Sequence, residues 1–519
     1  MVKLMYYAAI FLLAACVPRD QKNPPTPTPS TESQWRPHFA QADRRAKLLA
    51  QVSVLDTLMA QYQRQHHLPS VAYALVMDDT LIYHRGIGRT QLPQGPPPDE
   101  HTPYRIASMT KSLTALAILK LREMGLLDLH QPAENYLPAL AGLIYPTPDA
   151  PRITVHHLLT MTAGFPEDNP WGDRQLDDTD AELADLIKAG LSFSTPPGTE
   201  FEYSNLGYAL LGQIIQRVSG QSYRDFMQTQ IFAPLDMRES YWDYDGPLVQ
   251  PLAQGYRWEE DQWKEEPLLK DGAYACMGGL ISTLTDWSKY MAFLLRAWST
   301  DTLTSPVSRA ALRMMQTPWA YRGVGQRLDP AGKPCAESSF YGYGLGWRRT
   351  CRGWTYVSHG GGLPGYGSTH LFIPELGLGV VAFSNGTYAG VGSPAIKALD
   401  SMIFLAQLEA RTLEPSAPLK QAQAQLVTLL PELPDEPTDT LFAENFYLDE
   451  HKTLRRKHLQ AIFSQAGPIQ SNGELKPLNN LRGTFSLQAE KGVIEVFFTM
   501  TPESPPKIQA LEVKFIPHK

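Results

Sequence analysis

The apolar residues change period several times along the chain, and each change marks a different kind of element. Over 39–62, Ala46, Leu49, Val52, Leu55, Leu58 and Met59 recur at helical spacing, which predicts one long amphipathic helix. After Pro69 two β-rich runs, 71–77 and 81–84, flank Asp78-Asp79-Thr80 and predict a hairpin. The centre is mostly helix-like. Residues 112–124 carry Leu113, Leu116, Leu119 and Leu121 and are closed by Gly125; residues 205–218 carry Leu206, Leu210, Ile214 and Val218 and are closed by Gly220. Near Tyr341 the pattern turns to short runs broken by Gly, Pro and Asn: 343–348, 354–357, 369–373 and 378–383. These predict a meander of antiparallel strands, followed by a helix over 395–410.

Hairpin, helical insert, meander and terminal helix together suggest one sheet built from both ends of a domain, with helices packed against it. Past the proline-rich stretch 415–437, a helix over 452–464 and alternating strands at 483–488, 492–499 and 508–515 predict a separate small α+β unit. The expected organisation is therefore a leader over 1–16, a Pro-rich linker over 17–36, a main domain over 37–412, a second linker over 413–437 and an accessory domain over 438–519.

The leader is an address. Lys3 precedes an apolar run over 4–15, shorter than the ~20 residues of a spanning helix, and the run ends in Leu13-Ala14-Ala15-Cys16. That ending resembles the bacterial lipobox, in which the signal is cut before Cys16 and the thiol is acylated; the alternative is a plain secretory signal that ends at a cysteine. The polar stretch 17–34, with Pro24, Pro25, Pro27 and Pro29, suits a spacer that stands a tethered domain off the bilayer. The expected location is the bacterial cell envelope, lipid-anchored and facing the periplasm or exterior.

Composition narrows the function classes. Hydrophobic residues at 43% supply a real core, and a net charge of −7 lacks the basic field that a nucleic-acid binder needs. Four cysteines are too few and too scattered for a disulfide scaffold or a Cys-rich zinc site. In an oxidising compartment Cys335 and Cys351 can pair, leaving Cys276 free; the alternative is three small buried residues. His156-His157 reads as packing or capping, and His66-His67 and His370 lack partners at ligand spacing, so no metal or organic cofactor is indicated.

The chemistry concentrates in three stretches. No G-x-S-x-G elbow, H-E-x-x-H or phosphate loop is present. Ser108-Met109-Thr110-Lys111 opens an apolar helix, which places hydroxyl and amine one turn apart on one face. A neutral amine there can take the proton of a serine that has no base of its own, provided burial lowers a lysine pKa normally near ~10.4. The same spacing at Ser504–Lys507 is interrupted by Pro505 and Pro506, which forbid the helix. Tyr203-Ser204-Asn205 sits before the Leu206 helix, either as a proton relay with a substrate-holding amide or as a packed tyrosine beside an N-cap. Ser358-His359-Gly360-Gly361-Gly362 ends the 354–357 strand, either as backbone that approaches a ligand or as a tight turn.

The order and separation of Ser-x-x-Lys, Tyr-x-Asn and His-Gly-Gly resemble the serine β-lactamase and D,D-peptidase superfamily, in its branch of class C β-lactamases, D-aminopeptidases and related esterases. The segments Ile153–Thr160, Pro197-Gly198-Thr199 and Tyr343–Trp347 resemble it too, and the similarity covers about 40–405. The resemblance implies an α/β fold: an antiparallel sheet flanked by helices, with an inserted helical subdomain. It implies Ser108 as nucleophile, Lys111 as base, neutral or sharing a proton with Tyr203, and Tyr203 as proton donor to the leaving group. The N–H groups of Ser108 and Gly362 would form the oxyanion hole, Asn205 and His359 would meet the substrate, and Gly361 would let the strand lie against it. One departure bears on the substrate. Where penicillin-recognising members carry Lys and then Thr or Ser, this chain has His359 and Gly360, so a carboxylate clamp is weak unless Arg348, Arg349 or Arg352 reaches in. The expected activity is an envelope-anchored serine hydrolase acting on D-amino-acid peptides or esters, with a small-molecule or peptide substrate and no nucleic-acid partner. The alternatives are a D,D-carboxypeptidase or weak β-lactamase, and a non-catalytic penicillin-binding sensor.

Overall fold

Strand side chains alternate between faces, so a strand buried on both faces must lie inside a sheet covered on both sides. Every residue of β1 (Ser70–Met77) is buried: Ala72, Ala74 and Val76 belong to one apolar core, and Val71, Tyr73, Leu75 and Met77 to another. In the computed structural model, which describes residues 37–518 apart from 243–249, 300–302, 304 and 434–440, β1 occupies such a position. The leader, Cys16 and the 17–36 linker lie outside the described residues.

The sheet also contains β2 (Thr80–Gly88), β3 (Ala320–Leu328), β4 (Pro334–Tyr341), β5 (Gly346–Thr350), β6 (Thr355–Leu363), β7 (Tyr366–Ile373) and β8 (Leu378–Ser384). Its order is β2-β1-β8-β7-β6-β5-β4-β3, antiparallel throughout. The first strand of this sheet in chain order thus pairs with the last strand of the meander, as the sequence pattern suggests. Two outer strands, β3 and β4, were not expected. β3 exposes Tyr321, Val324 and Leu328 and so carries no buried apolar face for a period-two pattern to reveal. Cys335 and Cys351 form a disulfide that ties β4 to the turn after β5, while Cys276 is free and buried.

The insert between β2 and β3 covers one face of the sheet. Its principal helices are α3 (Thr110–Glu123), α4 (Asn205–Ser219) and α5 (Leu284–Leu295), and they enclose the first core with Leu113, Leu116, Leu210, Ile214 and Trp287. On the other face lie α1 (Arg44–Leu49), α2 (Val52–Gln65) and α6 (Gly392–Ala406), around Leu48, Leu55, Met59, Leu399 and Ile403. The single helix expected over 39–62 is therefore two. Between them the chain tightens to a bond from the Gln51 N–H to the Leu48 carbonyl, 2.9 Å, which interrupts the α-helical ladder.

The second unit has its own core. Strands β9 (Ile469–Asn472), β10 (Lys476–Asn479), β11 (Arg482–Ala489), β12 (Gly492–Met500) and β13 (Ile508–Pro517) form a sheet of order β9-β11-β12-β13, with β10 also on β11. The expected linker 413–437 is only partly one. It contains helix Ala417–Leu429, whose Leu419, Ala422 and Leu426 pack with Phe485, Ile494, Val496 and Phe498, because its apolar residues recur at helical spacing despite the flanking prolines.

The sheet meets α3 through one glycine. Gly344 has φ +67°, and a Cβ there would lie 2.7 Å from the Lys111 carbonyl oxygen and 2.8 Å from the Ser112 Cα. Left-handed strain and overpacking both penalise a side chain at this position. Gly344→Ala is expected to destabilise the main domain by about 2–4 kcal/mol. Gly353→Ala, at φ +82° with open space around it, should incur only the strain, about 1–2 kcal/mol. Chemical-denaturation midpoints of the two variants check the difference; equal losses would remove the packing argument.

Candidate active site

The approach to Ser108 is strained. Ala107 has φ +50°, a left-handed conformation that costs a non-glycine residue about 1–3 kcal/mol. It opens a single 3-10 turn, Ala107–Met109, that runs directly into α3. Ser108 therefore sits just ahead of the helix and Lys111 in its first turn, so both side chains project to the same side. Strand β6 presses on this turn from the sheet: a Cβ on Gly361 would collide with the Ile106 carbonyl and lie 2.9 Å from the Ala107 Cβ. The Ser368 hydroxyl donates to the Ile106 carbonyl at 2.6 Å and fixes it from β7.

Lys111 is fully buried. Its Nζ lies 3.0 Å from Ser108 Oγ, 2.6 Å from Asn205 Oδ1 and 2.8 Å from the Met277 carbonyl oxygen. Burial pulls its pKa down to about 7, against the opposing pull of the Asp173 and Asp168 carboxylates. Two of the three neighbours are carbonyl acceptors. A neutral amine donates its two hydrogens to them, and its lone pair is left facing the serine hydroxyl.

Tyr203 lies on the other side of the serine. Its ring centre is 5.1 Å from Lys111 Nζ, and it lines the same cleft as Ser108. Burial pushes its pKa well above the ordinary value, which favours the phenol.

Asn205 differs from expectation in two respects. The N-cap of α4 is Ser204, whose Oγ accepts from the Gly207 N–H at 3.1 Å, and Asn205 is the first helical residue. Asp168 accepts the N–H groups of Asn205 and Leu206 at 2.6 and 2.8 Å, which leaves the Asn205 side chain free for Lys111 and, at 3.3 Å, Asn169. Asn205 is fully buried, with its amide oxygen on Lys111 Nζ, and is not among the residues that line the cleft.

The glycine stretch is also corrected. Residues 358–362 do not turn; they continue β6, paired with β7 from Ser358↔Leu371 to Gly362↔Gly367, and none of the three glycines has a left-handed backbone. Their small size serves close approach: Gly361 lies under the nucleophile turn, and a Cβ on Gly362 would lie 2.8 Å from the Tyr388 ring. His359 is held in one tautomer: Nδ1–H donates to the Gly360 carbonyl at 2.6 Å, and Nε2 accepts from the Tyr341 hydroxyl at 3.0 Å. Burial drops its pKa to about 3, so the imidazole is neutral at any physiological pH.

A cleft of about 370 Å³ brings together Ser108, Tyr203, His359 and Gly360 through Gly362, with Asn169, Tyr341, Arg322 and Arg348 on its walls. Of the three arginines proposed from sequence, Arg348 reaches the cleft, paired with Glu337 at 3.4 Å; Arg349 and Arg352 are not among its walls. Several participants carried no sequence signal: Asp168, Asp173, Tyr341, Arg322 and the Met277 carbonyl act through distant contacts that no local motif encodes. Asp173 is 1% exposed, its Oδ1 has no hydrogen-bond partner among the described residues, and burial pushes its pKa up to about 6. Its backbone neighbour Gly172 abuts Asn205, where a Cβ would lie 2.7 Å from the Asn205 Cβ. His157 completes a capping box with Thr154, and His156 Nδ1 lies 2.8 Å from the Tyr343 hydroxyl. No cluster of three metal-ligating side chains occurs among the described residues.

Comparison with known proteins agrees with this geometry. The Beta-lactamase family model matches residues 55–400. Penicillin-binding protein 4* of Bacillus subtilis is 28% identical over 322 residues, 60% of this chain and 67% of that protein. Unguisins hydrolase ungD' of Aspergillus campestris is 28% identical over 336 residues, covering 62% and 59% of the two chains. Protein flp of Staphylococcus aureus is 28% identical over 336 residues, covering 64% and 62%. The chain thus spans about three fifths to two thirds of the length of these curated relatives. The octameric penicillin-binding protein homologue from Pyrococcus abyssi shares the fold, with a TM-score of 0.57 at 22% identity, over 90% of this chain and 96% of that one. That likeness reaches past residue 400 into the second unit. With the family match spanning both the nucleophile turn and the glycine strand, the chain belongs to the Beta-lactamase family of serine hydrolases.

Proposed function

We propose that Ser108 opens amide or ester bonds through an acyl-enzyme, with D-amino-acid peptides or esters as the substrate class. The observation that carries this reading is the Lys111 amine, buried, bound to two carbonyl acceptors and 3.0 Å from Ser108 Oγ. In the acylation step Ser108 Oγ bonds to the substrate carbonyl carbon as its proton passes to Lys111 Nζ. The bond to the leaving nitrogen or oxygen then breaks, and the Tyr203 phenol supplies the leaving group's proton and is reprotonated from Lys111. Water reverses the sequence to release the acid. The N–H groups of Ser108 and Gly362 serve the developing oxyanion, where loss of one donor typically costs ~10² to 10³ in turnover. Neutral His359 supports the preference for peptides and esters over β-lactams, since a neutral ring offers a carboxylate no charge. One relative is named a hydrolase, in accord with this chemistry. Cys16 supplies the lipid attachment that keeps the enzyme at the envelope.

Ser108→Ala is expected to abolish both fluorophosphonate labelling and turnover of D-aminoacyl esters. Tyr203→Phe should retain labelling and lose ~10² to 10⁴ in kcat/KM. Labelling that persists in Ser108→Ala, or stable labelling with no turnover of any ester or peptide, would sink the hydrolase reading; rapid turnover of a chromogenic cephalosporin would replace the substrate class.

The base must be neutral to act, so kcat/KM should rise with pH through the Lys111 pKa of about 7 and level above it. Asp173 favours the charged lysine. Asp173→Asn should therefore lower the Lys111 pKa and move the acid limb to lower pH; a limb that moves to higher pH contradicts the assignment.

Cys16→Ala should abolish incorporation of an alkyne-bearing fatty acid in the bacterial host, measured by click labelling. Undiminished incorporation would refute attachment at Cys16.

A further inference from the structure

A second cavity, of about 350 Å³, opens on the sheet where β5 ends and β6 begins. From the sheet it takes Trp347 and Arg349 of β5, which share a face by strand alternation, and Val357, which pairs with Trp347. Its other walls come from the turn Arg296–Trp298 after α5, from the helix Arg309–Met315 and from Arg411, beyond the end of α6. It shares no wall residue with the cleft that holds Ser108.

Three guanidiniums reach this cavity, those of Arg313, Arg349 and Arg411, and none forms an ion pair among the described residues. Two of them are held in place by uncharged acceptors. Arg313 Nε donates to the Ala297 carbonyl at 2.8 Å, with the guanidinium 5.6 Å from the centre of the Trp298 ring. Arg411 donates to the Trp298 carbonyl at 2.8 Å and to the Pro374 carbonyl, while its buried Nε has no hydrogen-bond partner among the described residues. Backbone oxygens fix these side chains without cancelling their charge. Burial accordingly pulls the pKa of Arg411 down to about 10 and lowers that of Arg313 as well. Against the three cations stands one carboxylate on the wall, Glu375, whose Oε2 accepts the Thr355 N–H at 3.4 Å.

The remaining walls are largely flat and apolar, with Trp298, Trp347 and Pro318. The Trp298 ring is fixed: its Nε1–H donates to Gln316 Oε1 at 2.8 Å, and Gln316 Nε2 donates to the Leu294 carbonyl at 2.9 Å. With its N–H engaged, the indole offers a ring surface and no further donor. A preformed cavity of this kind spends little free energy on ordering when it binds a ligand. Flat apolar walls select a flat apolar body, and an excess of guanidinium selects a planar anionic group upon it.

We propose that this cavity is a binding site for a small aromatic carboxylate, separate from the catalytic cleft. The proposal goes beyond the acyl-enzyme reading and does not depend on it.

The test uses the purified protein with two probes, 2-naphthoate and its uncharged counterpart 2-naphthamide, and calorimetry gives their affinities. 2-Naphthoate should bind about tenfold or more tightly than the amide, the advantage of charge-assisted hydrogen bonds. Arg349→Glu and Arg313→Met should each remove most of that advantage and leave amide binding unchanged. Arg349 is exposed, so its variant keeps the fold, which an unaltered unfolding midpoint checks. Added salt should weaken binding of the carboxylate and spare the amide. Labelling of Ser108 by fluorophosphonate should leave 2-naphthoate binding intact. Equal affinities for the two probes, carboxylate binding unchanged in both variants, loss of binding on labelling of Ser108, or no binding of either probe overturns the proposal, and each of these outcomes leaves the serine-hydrolase reading standing.

Discussion

The site depends on keeping one amine out of water without giving it a salt bridge. An ammonium buried beside a bonded carboxylate would be locked in its charged form and useless as a base. In this protein neither nearby carboxylate is hydrogen-bonded to the amine. Asp168 accepts two N–H groups at the start of α4, and burial favours the neutral form of Asp173. What remains at hydrogen-bond distance from Lys111 is the Asn205 amide oxygen, the carbonyl and sulfur of Met277 and the Ser108 hydroxyl. Desolvation then outweighs the opposing pull of Asp173 and Asp168 and brings the amine's pKa to about 7, where both protonation states are accessible.

Enclosing that amine requires backbone from several parts of the chain to come closer than side chains allow. Gly344 rests on the Lys111 and Ser112 backbone, Gly361 on the turn before Ser108, and Gly172 on Asn205. They come from the connection between β4 and β5, from β6 and from the helical insert, so the pocket is sealed only when all three are in place. The left-handed Ala107 is held by the same closure, with the Ile106 carbonyl fixed by Ser368. Strain of this kind persists only where surrounding contacts over-determine it. The turn that holds Ser108 is therefore a product of the whole main domain and not of the Ser-x-x-Lys motif alone.

That division explains what could be read from sequence. The helices that carry Lys111 and Asn205 announce themselves through apolar spacing and closing glycines, and the central strands through alternation, because in both cases the signal is local. The contribution of Asp168 is invisible in this way: it caps a helix that begins 37 residues later, and the pairing exists only in the fold. The residue type of Asn205 also suits a cap, but Ser204 and Asp168 fill that role and leave the amide for the lysine. The three glycines suggest a turn by composition, yet they serve as a flat strand where other segments must press close. The outer strands β3 and β4 escaped because neither face of β3 is buried, and the helix over 417–429 because prolines on both sides dominated the reading.

The neutral state of His359 also bears on the base itself. Lys111 and His359 lie close enough for the lysine's charge to disfavour protonation of the imidazole, and electrostatic coupling is mutual. A permanent cation at position 359 would press the Lys111 pKa further down. With an uncharged ring there, burial is the main force lowering it, and Asp168 and Asp173 pull the other way. The amine is consequently a stronger proton acceptor than it would be beside a fixed charge, but a smaller fraction of it is free at a given pH. A histidine in place of a cation thus bears on two properties together: the charge at the middle of β6, where the strand borders the cleft, and the basicity of the amine beside Ser108.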